Sequence, residues 1–502
     1  MSRQYINTAI DYPNAAPHMG HAMEKILADV CARWFRLRGD EVRFQVGTDE
    51  HGIKIQRTAE KEGVTPQELV DRNAVLFKDL FDKLNISYDF FVRTSNKKIH
   101  YPTVLEMWKK LAKDGWLEKR SYTGLYCVGC EEFKTKRDLE DGMCVNHKKA
   151  PEEVKEENWF FRLSDRSDYL KELLSKKPED GGYKVVPEFR SKEVFSFIEQ
   201  GLPDVSFSRP KSTLYWGVPV PDDKDQVMYV WCDNLTNYIS TLGYLTDKED
   251  KKWWDDAEVT HVIGKDITRF HALNWPAMLD CVGIKTPDRL LVHGFLTSEG
   301  EKMSKSTGNV VVPDEVLEKF GGDPDPLRFY LSHEVPVGRD GDFSWDRIEK
   351  LYDSKLRNDL GNLLNRVLVL LKKERGKLGD FGSDPKLLGD KWKKYQESMN
   401  AFRLEDGVSL AVELATECNQ FIDKNKPWEL KGDEKINLLT QLAEALRHVA
   451  LMLLPFTPGT SERILKQLDL KAPATLEGKT DWGAEKSWKK VGEAEILFEP
   501  LE

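Results

Sequence analysis

The sequence predicts an α/β protein in which a parallel-sheet domain is split by an insertion and followed by an α-helical bundle. Three observations carry that expectation. Strand–helix–strand patterning opens the chain and returns after about residue 203, while the stretch between is broken into short, charged, Cys-containing pieces. Beyond Leu351 apolar residues recur only at helical period until the last few positions.

Taken in order, "QYINTAI" is short, apolar and β-prone, and a Pro-containing loop follows it. Met19, Met23, Ile26, Leu27, Val30, Trp34 and Leu37 then recur close to helical period, and Gly39 is placed to cap the helix. "EVRFQVG" alternates as a strand does, which completes a βαβ unit whose ligands belong at the carboxyl ends of the strands. The first strand lacks a GxGxxG turn, which argues against an ordinary dinucleotide site. From Trp116 to Asn158 the pattern breaks, and helical and loop material runs on to about Pro203. "QVMYVWCD", "EVTHVIGKD" and "RLLVHGFLT" then read as strands, with "ITRFHALNWPAML" as a helix between the last two. From "KLRNDLGNLLNRVLVLLKK" to "ALRHVALMLLPF" the segments read as a helical bundle. The tail "AEILFEP" is expected either as a short strand or as an arm packed back on the body.

At 502 residues the chain should hold about three domains. Its net charge of −10 excludes a general polyanion binder, so any nucleic-acid contact needs a local basic patch. No secretory h-region and no membrane-length apolar run is present, and seven cysteines without such a signal point to a reducing compartment. A cytoplasmic protein is expected.

Two motifs stand out. In "PHMGH", His18 and His21 flank Gly20 at the first turn of a helix that follows a strand. A structural role, a metal and a phosphate are all open there, because free N–H groups and the positive end of the helix dipole favour an anion. Much later "GFLTSEGEKMSKSTGNVV" sets Lys302 and Lys305 among Ser304, Ser306, Thr307, Gly300 and Gly308. Two ammonium groups in a loop of small residues suit a polyphosphate clamp.

"HMGH" and "KMSKS" in a chain with βαβ patterning in both halves resemble the HIGH and KMSKS signatures of class I aminoacyl-tRNA synthetases. Within that class the chain resembles the methionyl-tRNA synthetases over most of its length. The resemblance implies a Rossmann-type catalytic domain in two halves (1–115 and 204–290), divided by a connective insertion with a zinc knuckle (116–203). A KMSKS loop and stem-contact region (291–350), an α-helical anticodon-binding domain (351–485) and a tail (486–502) follow. The implied reaction is a ligation: L-methionine and ATP give methionyl-adenylate and pyrophosphate, and methionine then passes to the 3′-end of tRNA(Met), initiator and elongator alike.

The same resemblance implies the site residues. His18, Gly20, His21, Glu24, Gly264, Asp266, Lys302, Ser304 and Lys305 would hold ATP, with His18, His21, Lys302 and Lys305 acting on its phosphates. "GTDEHG" supplies Asp49 for the substrate's α-ammonium, and "SRPKSTLYWG" supplies Arg209 on the carboxylate side. Ile10, Tyr12, Trp231, Tyr238, His271 and Trp275 would enclose the thioether, whose sulfur packs well against rings. Two positions depart from the family pattern. Asn234 follows "VWCD" where a small residue, commonly Ala, is expected, and Asp11 stands where Pro or Tyr is found.

Cys127-x2-Cys130, thirteen residues, then Cys144-x2-His147 match a closed Cys3His zinc site, which makes the zinc structural. Cys31, Cys232, Cys281 and Cys418 lie in apolar contexts and read as packing residues. From Lys355 to Leu378 seven Lys/Arg face two Asp/Glu, a basic bias in an acidic chain. Asn358, Asn362 and Arg366 share one helix face by spacing, and Pro427 precedes Trp428 at a helix boundary. The resemblance assigns these five to the anticodon, with the tryptophan stacking on a base. Mg²⁺ is expected with ATP, one structural Zn²⁺ per chain is implied, no membrane is involved, and a monomer is expected.

Overall fold

The structure, a computed structural model, describes residues 2–129, 132–134, 138–145, 148–246, 250–298, 300–302 and 311–501. Six strands form its central sheet: β1 (Arg3–Thr8), β2 (Glu41–Thr48), β3 (Phe90–Arg93), β4 (Lys184–Val186), β5 (Glu258–Gly264) and β6 (Arg289–His293). Their order is β3-β2-β1-β5-β6-β4, and every neighbouring pair is parallel. A parallel sheet is buried on both faces, and alternate residues divide between the two layers. Ile6, Val262 and Leu291 face one core; Tyr5, Ile263, Leu290 and Val292 face the other.

Helix α1 (Met19–Arg38) joins β1 to β2 and ends at Gly39, whose φ of 94° lies in the left-handed region that glycine adopts without cost. Its apolar stripe is wider than periodicity suggests: Ala22 through Ala32 are all buried, including the charged residues Glu24, Lys25 and Asp29. Asp29 is buried because Arg328 meets it at 2.7 Å, with both side chains sealed from solvent. Arg328 also donates to the carbonyls of Leu84, Pro455 and Phe456. This fastens the sheet domain to the helical region, and one apolar core runs from α1 into that region.

The insertion is an antiparallel sheet built on the pairing of Leu117–Cys127 with Glu152–Phe161. It does not occupy all of 116–203: Lys184–Val186 leaves it to become β4, the edge strand of the central sheet. A strand of three residues is too short for alternation to be read. "QVMYVWCD" is a strand only over Gln226–Met228; the rest turns into helix α2 (Val230–Leu235).

The helical region comprises α3 (Asn362–Lys373), α4 (Lys391–Asn400), α5 (Leu404–Asn425), α6 (Gly432–Leu453) and α7 (Pro458–Gln467). The tail is an arm rather than a strand. Leu497 and Phe498 are buried, the Phe498 ring packs 5.7 Å from that of Tyr352, and the Tyr352 hydroxyl donates to Glu499 O at 2.8 Å.

Candidate active site

The loop after β1 delivers His18 to the N-cap of α1, where its extended backbone (φ −135°, ψ 175°) starts the helix. His18 Nδ1 accepts from Gly20 N at 3.1 Å, and His21 Nδ1 accepts from His18 N at 3.1 Å. This reciprocal cap fixes the tautomer of a neutral ring: with Nδ1 accepting, the proton sits on Nε2. His21 is neutral at physiological pH, because burial, then the neighbouring His18, Lys25 and Lys54, hold it well below the usual histidine range. The two rings stack at 3.7 Å. A Cβ on Gly20 would press on the His18 ring at 3.1 Å, which explains the glycine. The arrangement suits two N–H donors on one anion at a helix N-terminus.

Beneath this turn lies a cluster of buried charge. Lys25 Nζ donates to Asp11 Oδ1 (2.8 Å), Glu24 Oε1 (2.7 Å) and Ala9 O (3.0 Å). Glu24 Oε2 meets His293 Nε2 at 3.0 Å, at the end of β6. Burial pushes the Asp11 carboxyl up to about 7; Lys25 pulls it down and the Glu24 charge raises it. Lys25 itself is raised above its usual value: burial opposes its charge, and the two carboxylates outweigh that. Spacing alone gave no reason to select Lys25 or His293; a lysine on the buried side of α1 is the signal that was available.

On the other side of β1, Asp49 lies just past β2, buried, with its N–H donating to Asp11 O at 2.8 Å. A ring cluster stands nearby, with Trp231 on α2, Tyr238 on the following short helix (Asn237–Ser240) and His271 on a π-helical turn over Phe270–Asn274. Tyr238 OH meets His271 Nε2 at 2.7 Å, and His271 Nδ1 meets Ile267 O at 3.1 Å. A carbonyl can only accept, so Nδ1 carries the proton and Nε2 accepts from the tyrosine. Burial lowers His271 to about 4, which keeps the ring neutral. Trp231 stacks on Phe270 at 3.8 Å and makes a T-shaped contact with His271. Trp275 stands behind Tyr238, 6.0 Å between centroids, and donates to His261 Nε2 at 3.2 Å. Phe270 and His261 therefore belong to the cluster although the sequence did not single them out.

The remaining expected residues divide. Ile10 is buried, and Tyr12 OH donates to His51 O at 2.7 Å. Gly264 ends β5, and a Cβ there would meet the Asp266 carboxylate at 2.8 Å. Arg209 is enclosed by the rings of Tyr126, Phe133 and Tyr229 and donates to Ser206 Oγ and Ser208 O, so it ties the insertion to the start of α2. Lys302 pairs with Thr297 in a hairpin, while Ser304 and Lys305 lie outside the described residues. Cys127 and Cys144 are buried at the ends of strands; their expected co-ligands Cys130 and His147 lie outside the described residues. Cys31, Cys232, Cys281 and Cys418 are buried, as expected of packing residues.

In the helical region Asn358 and Asn362 are exposed, and Arg366 lies over the Trp428 ring at 5.8 Å while pairing with Asp423 at 2.6 Å. Trp428 is 48% exposed and Pro427 beside it is buried. A cavity of about 510 Å³ lined by Arg3, Glu41, Asp256 and Glu258 lies at the amino ends of the strands. That is the wrong edge for a ligand of an open parallel sheet.

A histidine-capped turn thus stands at the carboxyl edge of a split parallel sheet, the edge at which such sheets bind ligands. The family model described as "tRNA synthetases class I (M)" matches residues 4–144 and 134–368. The methionine–tRNA ligase of Brucella suis biovar 1 is 41% identical over 489 residues, covering 94% of this chain and 93% of its own. That of Caldanaerobacter subterraneus subsp. tengcongensis is 39% identical, covering 98% and 78%. Mycobacterium tuberculosis methionyl-tRNA synthetase in complex with methionyl-adenylate superposes with a TM-score of 0.89 at 34% identity, covering 99% of this chain and all of that one. The chain belongs to the methionyl-tRNA synthetase family of the class I tRNA synthetases.

The buried cluster makes a testable demand. Lys25→Met should cost about 3–5 kcal/mol, because it leaves buried carboxylates without their cation. Asp11→Ala/Lys25→Met should recover much of that loss, and urea unfolding of both variants measures the difference.

Proposed function

We propose that the chain ligates methionine to tRNA in two steps: the methionine carboxylate attacks the α-phosphorus of ATP, and a terminal ribose hydroxyl of tRNA(Met) then takes the methionyl group. Family membership along nearly the whole chain supports this, and the capped pair His18/His21 is the observation that carries the first step. Their Nε2–H groups would donate to the phosphates as charge develops there, with Gly20 allowing close approach. Gly264 and Asp266 would meet the ribose, and Glu24, held by Lys25 and His293, completes the nucleotide side. Lys302 and Lys305 would close on the pyrophosphate end, with Ser304 between them. Mg²⁺, when bound with ATP, would offset phosphate charge. The chemistry is mainly positioning and electrostatic stabilisation.

On the amino-acid side Asp49 would accept the α-ammonium, while Ile10, Tyr12, Trp231, Tyr238, His271 and Trp275 would surround the thioether. His271 and Tyr238 are neutral and bonded to each other, so the wall they form carries no charge toward an apolar side chain. Arg209, caged by three rings, would stand on the carboxylate side of the amino acid. A Cys3His zinc held by Cys127, Cys130, Cys144 and His147 would tie the tip of the insertion together, a closed site with a structural role. Asn358, Asn362, Arg366, Pro427 and Trp428 would read the anticodon of initiator and elongator tRNA alike. The exposed Trp428 ring beside Arg366 supports base stacking there. The reading is of a cytoplasmic monomer.

Amino-acid-dependent ATP–pyrophosphate exchange tests the first step. Exchange with methionine and not with cysteine, leucine or isoleucine is expected, and Lys305→Ala should slow it about 10²–10³-fold. Exchange driven by another amino acid overturns the pocket assignment. Trp428→Ala should leave exchange intact while raising the KM for tRNA about 10-fold, consistent with the loss of one stacked base. Elemental analysis of the purified chain should find one zinc, absent from Cys127→Ser.

A further inference from the structure

Asn234, one of the two residues that depart from the family pattern, stands on α2 three residues after Trp231, and the structure gives it a partner. Its Nδ2 donates to Asp49 Oδ2 at 2.6 Å, with both side chains buried. The helix that carries it is pinned on both sides. Asp233, just before it, is held by His51 Nδ1 and His100 Nε2 at 2.5 Å each. The main-chain oxygen of Asn234 accepts from Asn237 Nδ2 at 2.7 Å. Asn237 Oδ1 accepts from Gln45 Nε2 at 2.9 Å, and Gln45 Oε1 accepts from Tyr5 OH at 2.9 Å. This polar chain runs through the buried interior to β1 and β2, so the main chain that carries Asn234 is fixed relative to the strands that carry the site.

A carboxylate's terminal torsion is broad, and an acceptor free to turn must be ordered when a ligand binds. Here one carboxylate oxygen already has a fixed donor, and the main chain of Asp49 is held by Asp11. We infer that Asn234 is a positioning residue for amino-acid recognition: its amide locks the Asp49 carboxylate so that the α-ammonium meets an acceptor already oriented. The inference rests on the reading of Asp49 as the ammonium acceptor. It concerns the amine of the substrate alone, not the thioether and not ATP.

The test uses the full chain, with Asn234→Ala and the similar-sized but donor-free Asn234→Leu. Methionine-dependent exchange gives the KM for methionine and for ATP. The inhibitor 4-(methylthio)butanoate, which keeps the thioether and carboxylate but has no amine, gives a competitive Ki. Both variants should raise the methionine KM about tenfold, the range of a lost hydrogen bond to a charged group. The ATP KM and the Ki of the amine-free inhibitor should not move. An unchanged methionine KM, a Ki that weakens in parallel, or full recovery in Asn234→Leu overturns the inference, the last two because they make the side chain a matter of pocket shape. Wild-type protein without methionine-dependent exchange would instead defeat the reading of the site itself, and this inference with it.

Discussion

The parallel pairing of β1 with β5 holds this molecule's site together. Gln4 lies opposite Glu258 and Thr8 opposite Val262, so two stretches of chain far apart in sequence end at the same edge of one sheet. β1 continues into the loop that carries Asp11 and His18, and β5 ends at Gly264 beside Asp266. On its other side β1 pairs with β2, which ends one residue before Asp49. A parallel sheet is buried on both faces and allows little sliding, because a one-residue slip would turn every apolar side chain to the wrong layer. The register of β1 therefore sets the separation of the histidine turn, Gly264 and Asp49 together.

The polar groups around this edge are held by one another and by the main chain. His18 and His21 are held by backbone N–H groups, and His271 by a carbonyl and a tyrosine, so each neutral ring has one tautomer. Buried charge is handled the same way: Lys25 sits between two carboxylates, and Asp233 between two histidines that draw its carboxyl down to about 2 against the effect of burial. Such networks add little net stability compared with apolar packing, but they leave few alternative arrangements of the groups they contain.

The helical region is not an appendage on a linker. Trp34 of α1 donates to Asn400 Oδ1, Arg328 joins Asp29 to carbonyls of the bundle, and the apolar core is continuous between them. The helix that begins with the histidine turn is thus also the one on which the bundle is seated. Trp428 and the turn of His18 are placed on one packed body.

Much of this was legible in residues alone, because it depends on local chemistry. The period of α1, the glycine that ends it, the strand alternation and the two signature motifs all follow from side chains a few positions apart, and they carried the fold class and the family. What depends on partners distant in sequence was not legible. Lys184–Val186 is a strand because β6 offers an edge, and no three-residue segment declares that by itself. Lys25 is buried because Asp11 and Glu24 surround it, and Arg209 is caged by rings from both the insertion and the start of α2. Asn234 showed in the sequence only as an unexpected residue; its bond to Asp49 spans two elements that meet across the sheet edge. Sequence determined which groups the protein carries and the local frames that present them, since periodicity and capping act over a few residues. Tertiary structure decided which of those groups meet, since burial and hydrogen bonding between distant segments exist only once the sheet has closed its register.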